Sequence, residues 1–271
     1  MLIRVGFEIS YGAAVATPMV IMMRVHPSRA RDIVGAETII TEPDVRSRYF
    51  QDSFGNLCGR LTAPPGGITF RLDALVRDSG LPDAYVPEAQ QMPVEQLPDD
   101  VLLYLMPSRY CETDRLTDFA WSQFGSIAPG WERVQAINTW VHNHVHFDYQ
   151  QARPTKSAYD VFEEQQGVCR DFAHLALTLC RCMNIPARYV TGYMGDIGVP
   201  PDPAPMDFSG WYEAYLSGKW YTFDARHNVP RIGRIVMATG RDAADVAIST
   251  TFGRMDLLKF VVVSDEVNES A

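Results

Sequence analysis

The sequence lacks three features that would indicate a nucleic-acid or membrane protein. Its 24 Lys and Arg residues are outnumbered by 33 Asp and Glu residues, giving a formal charge of -9. Because nucleic acid and anionic membrane both require a basic face, we expect neither as the dominant partner. No apolar run approaches the roughly 18 residues of a membrane-spanning helix, and the N-terminus carries no export pattern. We therefore expect a cytoplasmic protein.

The chain also lacks cysteines in pairs. It has an odd number of cysteines, without the spacing of a zinc site: Cys58, Cys111, Cys169, Cys180 and Cys182. A disulfide framework is not expected in a 271-residue chain of 46% hydrophobic residues, which can bury a full core. The sequence predicts a reduced compartment and requires no metal or cofactor.

The segment 167–193, GVCRDFAHLALTLCRCMNIPARYVTGY, predicts an amphipathic helix that begins at a cysteine. The apolar residues that follow Cys169 recur at helical spacing, and Pro186 lies beyond the helix end. Unpaired N–H groups and the helix dipole at the first turn favour a thiolate, so Cys169 is a candidate nucleophile. The alternative is a buried structural cysteine.

Three strands are predicted after this helix, over Ala187–Tyr193, Trp211–Leu216 and Lys219–Asp224. Ser217-Gly218 suits a two-residue hairpin turn, which would pair Leu216 with Lys219 and place Trp211 opposite Asp224. Since side chains alternate along a strand, His227 would then point away from the face that carries Asp224.

The run from Gly167 to Tyr193, followed by WYEAYLSGKWYTFDARHN, resembles the core of the transglutaminase-like superfamily of papain-like thiol enzymes over about residues 130–230. The resemblance implies an α+β fold in which the cysteine helix packs on an antiparallel sheet. It also implies a catalytic cysteine at Cys169 and a catalytic aspartate at Asp224. The family histidine, in a His-Ala-Trp segment, is replaced here by Ser209-Gly210-Trp211.

Serine cannot accept a thiol proton as imidazole does, so another base is needed if the protein is an enzyme. We hypothesise that His227 is this base, brought toward Cys169 by a bulge or turn after Asp224. The alternative is a histidine that stabilises a turn with Asn228 and Pro230. Ser209 and Trp211 are candidate substrate contacts.

The other histidines carry weaker signals. His142, His144 and His146 could share a metal ion on a strand, but apolar residues at helical spacing favour a helix that runs into a strand near Phe147. We predict no metal there. His174 lies too far around its helix to face Cys169 and is expected to be packed.

The chain is predicted to have three parts. Residues 1–80 alternate polar and apolar side chains and form a small β-sandwich, 81–107 form a proline-rich surface connector, and 108–271 form the transglutaminase-like core. Within the core we expect helices near 114–123 and 131–144, a short helix over 241–248 and a closing strand over 257–263.

Two functions remain open. The first is a cysteine-dependent acyl-transfer enzyme that hydrolyses a peptide or amide, with a peptide or protein as its partner. The second is an inactive relative that binds peptide or acts as a scaffold, favoured by Ser209 in place of the family histidine. The sequence does not specify the acyl acceptor, the substrate or the oligomeric state.

Overall fold

Strands of alternating burial dominate the N-terminal part of the protein, as the sequence predicts. The computed structural model describes residues 1–267. The strands in this part are β1 (Leu2–Gly12), β2 (Thr17–Ile21), β3 (Ile33–Val34), β4 (Ile40–Glu42), β5 (Arg48–Gln51), β6 (Leu57–Ala63) and β7 (Ile68–Arg77). The inward side chains of β1, which include Ile3, Val5 and Ile9, are fully buried.

The middle of the chain contains the helices and a second set of strands. The helices are α1 (Asp99–Leu102), α2 (Thr113–Phe124), α3 (Trp131–His144), α4 (Ala158–Glu164) and α5 (Cys169–Cys182). The strands are β8 (His146–Phe147), β9 (Gln166–Gly167), β10 (Ala187–Met194), β11 (Ser209–Leu216), β12 (Lys219–Phe223) and β13 (Arg234–Gly240). Two further strands, β14 (Ser249–Thr251) and β15 (Asp256–Val267), follow. This mixed α+β architecture confirms the predicted fold class.

The N-terminal strands form a β-sandwich that the C-terminal strands complete. One sheet has the order β15-β1-β7-β3, with β4 also on β7, and the other has the order β14-β2-β6-β5. Thus β15 pairs with β1 along its length, and β14 pairs with β2. Because β15 pairs with the edge of β1 and β14 pairs with the edge of β2, these two strands belong to the sandwich sheets. The prediction that all of residues 108–271 lie in the core does not hold for them. The boundary at residue 80 stays a prediction.

The core consists of α5 packed against an antiparallel sheet of order β12-β11-β10-β13. The predicted hairpin register is confirmed, with Leu216 opposite Lys219 and Tyr212 opposite Phe223. Ser217 and Gly218 have φ of 46° and 80°, as a tight type I′ turn requires. This register fixes where Asp224 emerges at the end of β12.

Two local predictions differ from the structure. The helix predicted over 241–248 is wrong, because the Asp242 carboxylate accepts the Ala244 and Tyr110 N–H groups and so holds a turn. The connector is not wholly irregular, since it contains α1. Leu97 and Val101 from the connector pack with Tyr215 of β11 in a small separate cluster.

The sandwich and the sheet of the core share one apolar cluster. Tyr193, Ile235 and Met237, from β10 and β13, are buried among sandwich residues such as Ile3 and Phe70. The sandwich therefore supports the sheet on the side opposite α5. Among residues 1–267, no helix is both long enough and apolar enough to cross a membrane.

We predict that Gly195→Ala weakens the junction between the sandwich and the core. A Cβ at Gly195, just after β10, would overlap the backbone oxygen of Ser264 in β15. Overpacking against backbone should lower the free energy of unfolding by about 1–3 kcal/mol in urea denaturation. The control is Gly12→Ala, whose Cβ would meet a movable Leu258 side chain at 3.3 Å. Equal losses in the two variants would contradict the prediction.

Candidate active site

Cys169 is the first residue of α5. The Asp171 carboxylate accepts the Val168 N–H at 3.0 Å, which closes the first turn around Cys169. As an initial helical residue, Cys169 has a backbone N–H without an acceptor inside the helix. Cys169 is half-buried, whereas the other four cysteines are buried. The predicted nucleophile is thus the one cysteine of the five whose residue is not fully buried.

The local electrostatics of Cys169 differ from the expectation of a stabilised thiolate. Burial raises the pKa of the Cys169 thiol above its ordinary value, although the Gly210 N–H and the charge of Arg226 act to lower it. Desolvation disfavours the charged sulfur more than these groups favour it. The resting site therefore holds a neutral thiol, which needs a base to become a nucleophile.

A turn after β12 brings His227 beside Asp224. Asp224 Oδ1 accepts the backbone N–H groups of Arg226 at 3.0 Å and His227 at 3.1 Å. Its Oδ2 accepts a hydrogen bond from His227 Nδ1 at 2.9 Å. This is the turn that the hypothesis for His227 required. With Nδ1 protonated toward Asp224, Nε2 is the basic nitrogen of the ring.

Helix α3 holds this turn in place. Asn228 Oδ1 accepts hydrogen bonds from Gln135 at 3.0 Å and from Asn138 at 2.9 Å. His142 Nδ1 donates to the backbone oxygen of Arg226 at 3.0 Å. Asn228 itself has a φ of 52°, which asparagine tolerates better than most residues. Side chains of a packed helix therefore hold the turn on both sides of His227.

Arg234 and Asp83 complete a buried charge network that sequence reasoning missed. Arg234 Nη2 donates to Asp224 Oδ2 at 2.9 Å, and Arg234 Nε donates to Asp83 at 2.9 Å. The Arg234 and Asp224 side chains are 6% and 4% exposed, so this pair is shielded from solvent. An arginine that opens the apolar strand RIVMATG was the available signal for Arg234. Asp83 lies in the connector, where its sequence gave no signal.

These partners decide the ionisation of Asp224. Burial acts to raise the pKa of the Asp224 carboxyl, but the charge of Arg234 and the hydrogen bond from His227 outweigh it and hold this pKa well below its usual range. Asp224 is consequently ionised at neutral pH. It can orient the imidazole and stabilise its protonated form.

The two candidate substrate contacts differ in position. Ser209 lines a cavity together with Cys169 and His227, which we call the His227 cavity. Trp211 is 1% exposed, and the Arg234 guanidinium lies 4.9 Å from its ring centroid. Because Trp211 packs beneath the charge network, the prediction that it contacts substrate is corrected, and its role is to support Arg234.

Arg226 also lines the His227 cavity. Regular strand alternation would place the Arg226 side chain on the same face as Asp224, as a possible ion-pair partner. Instead its guanidinium lies 3.8 Å from the Phe147 ring centroid, and Arg234 takes the Asp224 carboxylate. The turn that starts at Asp224 ends the strand alternation, which is why Arg226 leaves the predicted position.

The remaining histidines have separate partners. His144 Nε2 donates to the Phe162 backbone oxygen at 2.8 Å, and His142 bonds to the turn described above. His174 is fully buried, stacks on Tyr110 and accepts the Ala243 N–H at 3.1 Å. Within residues 1–267, no group of three or more His, Cys, Asp and Glu side chains is placed to hold a metal ion.

We predict that Arg234→Met destabilises the protein strongly. The substitution leaves Asp224 and Asp83 without their shared cation, and breaking a buried ion pair in this way costs about 3–5 kcal/mol. Urea unfolding at pH 7 measures the change. The control is Arg4→Met, which removes a pair with Asp73 whose side chains are 56% and 62% exposed, and should lower the free energy of unfolding far less than Arg234→Met does.

The effect of Arg234→Met should depend on pH. The folded-state pKa of Asp224 lies below its unfolded value, so its ionic contribution is present above about pH 4 and is lost as the pH falls further. Without Arg234, burial penalises the ionised carboxylate, which protonation relieves. The difference in unfolding free energy between the wild type and the variant should shrink below about pH 4. A constant difference from pH 7 to pH 3 would refute this.

Comparisons with known proteins agree with this architecture. The sequence pattern of the transglutaminase-like superfamily matches residues 119–225, which include Cys169 and Asp224. A similar solved structure is a crystal structure from Cytophaga hutchinsonii, described as a "putative cysteine protease", which is 32% identical in sequence. The match covers 100% of this chain and 92% of the Cytophaga chain, with a TM-score of 0.85.

Two curated relatives extend the comparison. An uncharacterised protein of Mycobacterium leprae is 26% identical over 229 residues, 81% of each chain. Mouse kyphoscoliosis peptidase is 29% identical over 103 residues, which are 35% of this chain and 15% of the peptidase. With the fold, the family pattern and a full-length structural relative in agreement, the chain belongs to the transglutaminase-like superfamily.

Proposed function

We propose that the protein is a cysteine-dependent hydrolase of peptide or amide bonds, with Cys169 as nucleophile, His227 as base and Asp224 as the residue that orients His227. One observation carries the proposal: His227, held by Asp224 at 2.9 Å, lines the same cavity as Cys169. Nucleophile, base and orienting carboxylate in this relation are the requirements for nucleophilic catalysis by a thiol.

The neutral resting thiol determines the order of events. As Cys169 Sγ attacks the amide carbonyl, its proton passes to His227 Nε2, and the Cys169 backbone N–H at the helix N-terminus stabilises the oxyanion. His227 then protonates the amine as the C–N bond breaks, leaving a thioester on Cys169. Water attacks the thioester, its proton passes to His227, and the C–S bond breaks to restore the thiol.

Hydrolysis is favoured over cross-linking because water can always enter as the acceptor. The cavity beside Cys169 is open to solvent, since His227, which lines it, is 21% exposed. The role of Ser209 in this proposal is to line the cavity and not to transfer a proton.

Ser209 also favours a second candidate function, in which the protein binds a peptide without cleaving it. The family histidine is missing at this position, and the burial that raises the pKa of Cys169 would leave an unassisted thiol inert. The two candidates differ in whether His227 activates Cys169.

We predict that His227→Gln slows alkylation of Cys169 by iodoacetamide at pH 7 by at least about tenfold, because the thiol loses its proton acceptor. The rate is followed by peptide mass spectrometry, and the other four cysteines, being buried, should label far more slowly. Ser209→Ala is the matched control at the same cavity and should label at the wild-type rate. Equal rates in wild type and His227→Gln would support the binding function.

The pH profile of His227→Gln tests the state of the thiol separately. Burial raises the pKa of Cys169, so the thiolate fraction is small at neutral pH and increases with pH. The alkylation rate of this variant should still be rising at about pH 9, above the ordinary thiol pKa of about 8.5. A plateau below about pH 8 would show that the helix N-terminus outweighs burial.

A further inference from the structure

A second cavity adjoins Cys169, and His227 is not among the residues that line it. Like the His227 cavity it is lined by Cys169, Val168 and Phe208, but it extends toward Tyr189 and the loop after β13. We call it the Tyr189 cavity. Cys169 thus lies where two cavities meet, and a substrate bound across its sulfur would occupy both.

The position of His227 assigns the two cavities to the two halves of an amide. The leaving amine must receive a proton from His227, and His227 lines the His227 cavity without reaching the Tyr189 cavity. The amine therefore lies in the His227 cavity. The acyl group, which stays bonded to sulfur, must then lie in the Tyr189 cavity. This assignment rests on the proposed function.

The lining of the Tyr189 cavity indicates what kind of acyl group fits. Its floor is aliphatic, formed by the side chains Ala243, Val246, Ala247 and Ile248. Three charged residues also line it: Arg153 pairs with Glu164 at 2.6 Å, Arg170 pairs with Asp171 at 3.3 Å, and Asp207 is shared with the His227 cavity. An apolar acyl chain that packs on the aliphatic floor breaks no hydrogen bond, and its transfer out of water is favourable.

The Ser209-Gly210 pair shapes this cavity. The Tyr189 hydroxyl lies so close to Gly210 that a Cβ at position 210 would overlap it. The alanine of the family segment would therefore displace the Tyr189 side chain from its place in the cavity wall. The substitution that removes the family histidine is accompanied by a glycine that makes room for Tyr189.

We propose that the Tyr189 cavity is an acyl-binding site selective for aliphatic acyl groups, so that the enzyme cleaves amides whose acyl side carries an aliphatic chain. Selectivity arises from the aliphatic floor formed by Ala243, Val246, Ala247 and Ile248. The charged groups of the His227 cavity contact the amine half.

The test uses p-nitrophenyl acetate and p-nitrophenyl butyrate, whose leaving group needs no proton from His227. As Cys169 Sγ attacks the ester carbonyl its proton passes to His227 Nε2, and the thioester remains when the ester C–O bond breaks and nitrophenolate is released. Rates of acylation are divided by the rates of each ester with free cysteine, and intact mass spectrometry confirms the acyl group on Cys169. Butyrate should exceed acetate by about tenfold, from two additional buried methylene groups.

Variants of the floor separate this assignment from general reactivity. Ala247→Phe, which fills the cavity, should bring the butyrate-to-acetate ratio close to one, and Ala243→Val should lower it independently if the first variant fails to fold. Ala244→Phe is the matched control, because Ala244 lies in the same loop but is exposed. Its ratio should equal that of the wild type.

Failure of this inference and failure of the proposed function give different results. Acylation of Cys169 with a wild-type ratio near one, or with a ratio unchanged in both floor variants, would overturn the assignment of the acyl site and leave the hydrolase in place. If neither ester acylates Cys169, and nitrophenolate is released no faster by the wild type than by Cys169→Ser, the hydrolase and the acyl site are overturned together.

Discussion

The Asp224 carboxylate is shared between Arg234 and His227, and the arrangement of the candidate site depends on this sharing. One oxygen, Oδ2, accepts from both partners at 2.9 Å. Arg234 supplies the charge that keeps a buried carboxylate ionised, and an ionised carboxylate can fix the tautomer of His227. The proposed catalytic arrangement therefore depends on a cation, Arg234, that does not line the His227 cavity. Its other anchor, Asp83, comes from a connector 151 residues away in sequence.

The surrounding elements serve to limit the movement of this turn. Helix α3 binds it from one side through Gln135, Asn138 and His142. The sandwich packs against β10 and β13, so β13, which begins with Arg234, is supported by a second apolar cluster. A short turn in a surface loop would be mobile. Here two packed layers hold it, and such restraint suits the role proposed for His227 as the base for Cys169.

Local features of this chain were predictable and distant pairings were not. The helix at Cys169 follows from apolar periodicity, and the hairpin register follows from Ser217-Gly218, because both depend on neighbouring residues. Asp224 followed from the family resemblance, and His227 could be proposed because it lies three residues after Asp224. The ion pair of Arg234 with Asp83 and the pairing of β15 with β1 join residues that are far apart in sequence. No local sequence pattern indicates such contacts. The raised pKa of Cys169 was missed for the same reason, since burial depends on the whole fold.

The pairing of β1 with β15 also has a consequence for how the chain folds. One edge of β1 pairs with residues 256–267, so this sheet of the sandwich is completed only when nearly all of the described chain has been synthesised. Helix α5 and the sheet through β13 are complete by residue 240 and rely on nearer contacts. Pairings of high sequence separation form slowly, because loop closure comes before any gain in contacts. During synthesis the open edge of β1 is exposed, which makes the N-terminal strand the segment most in need of protection from aggregation.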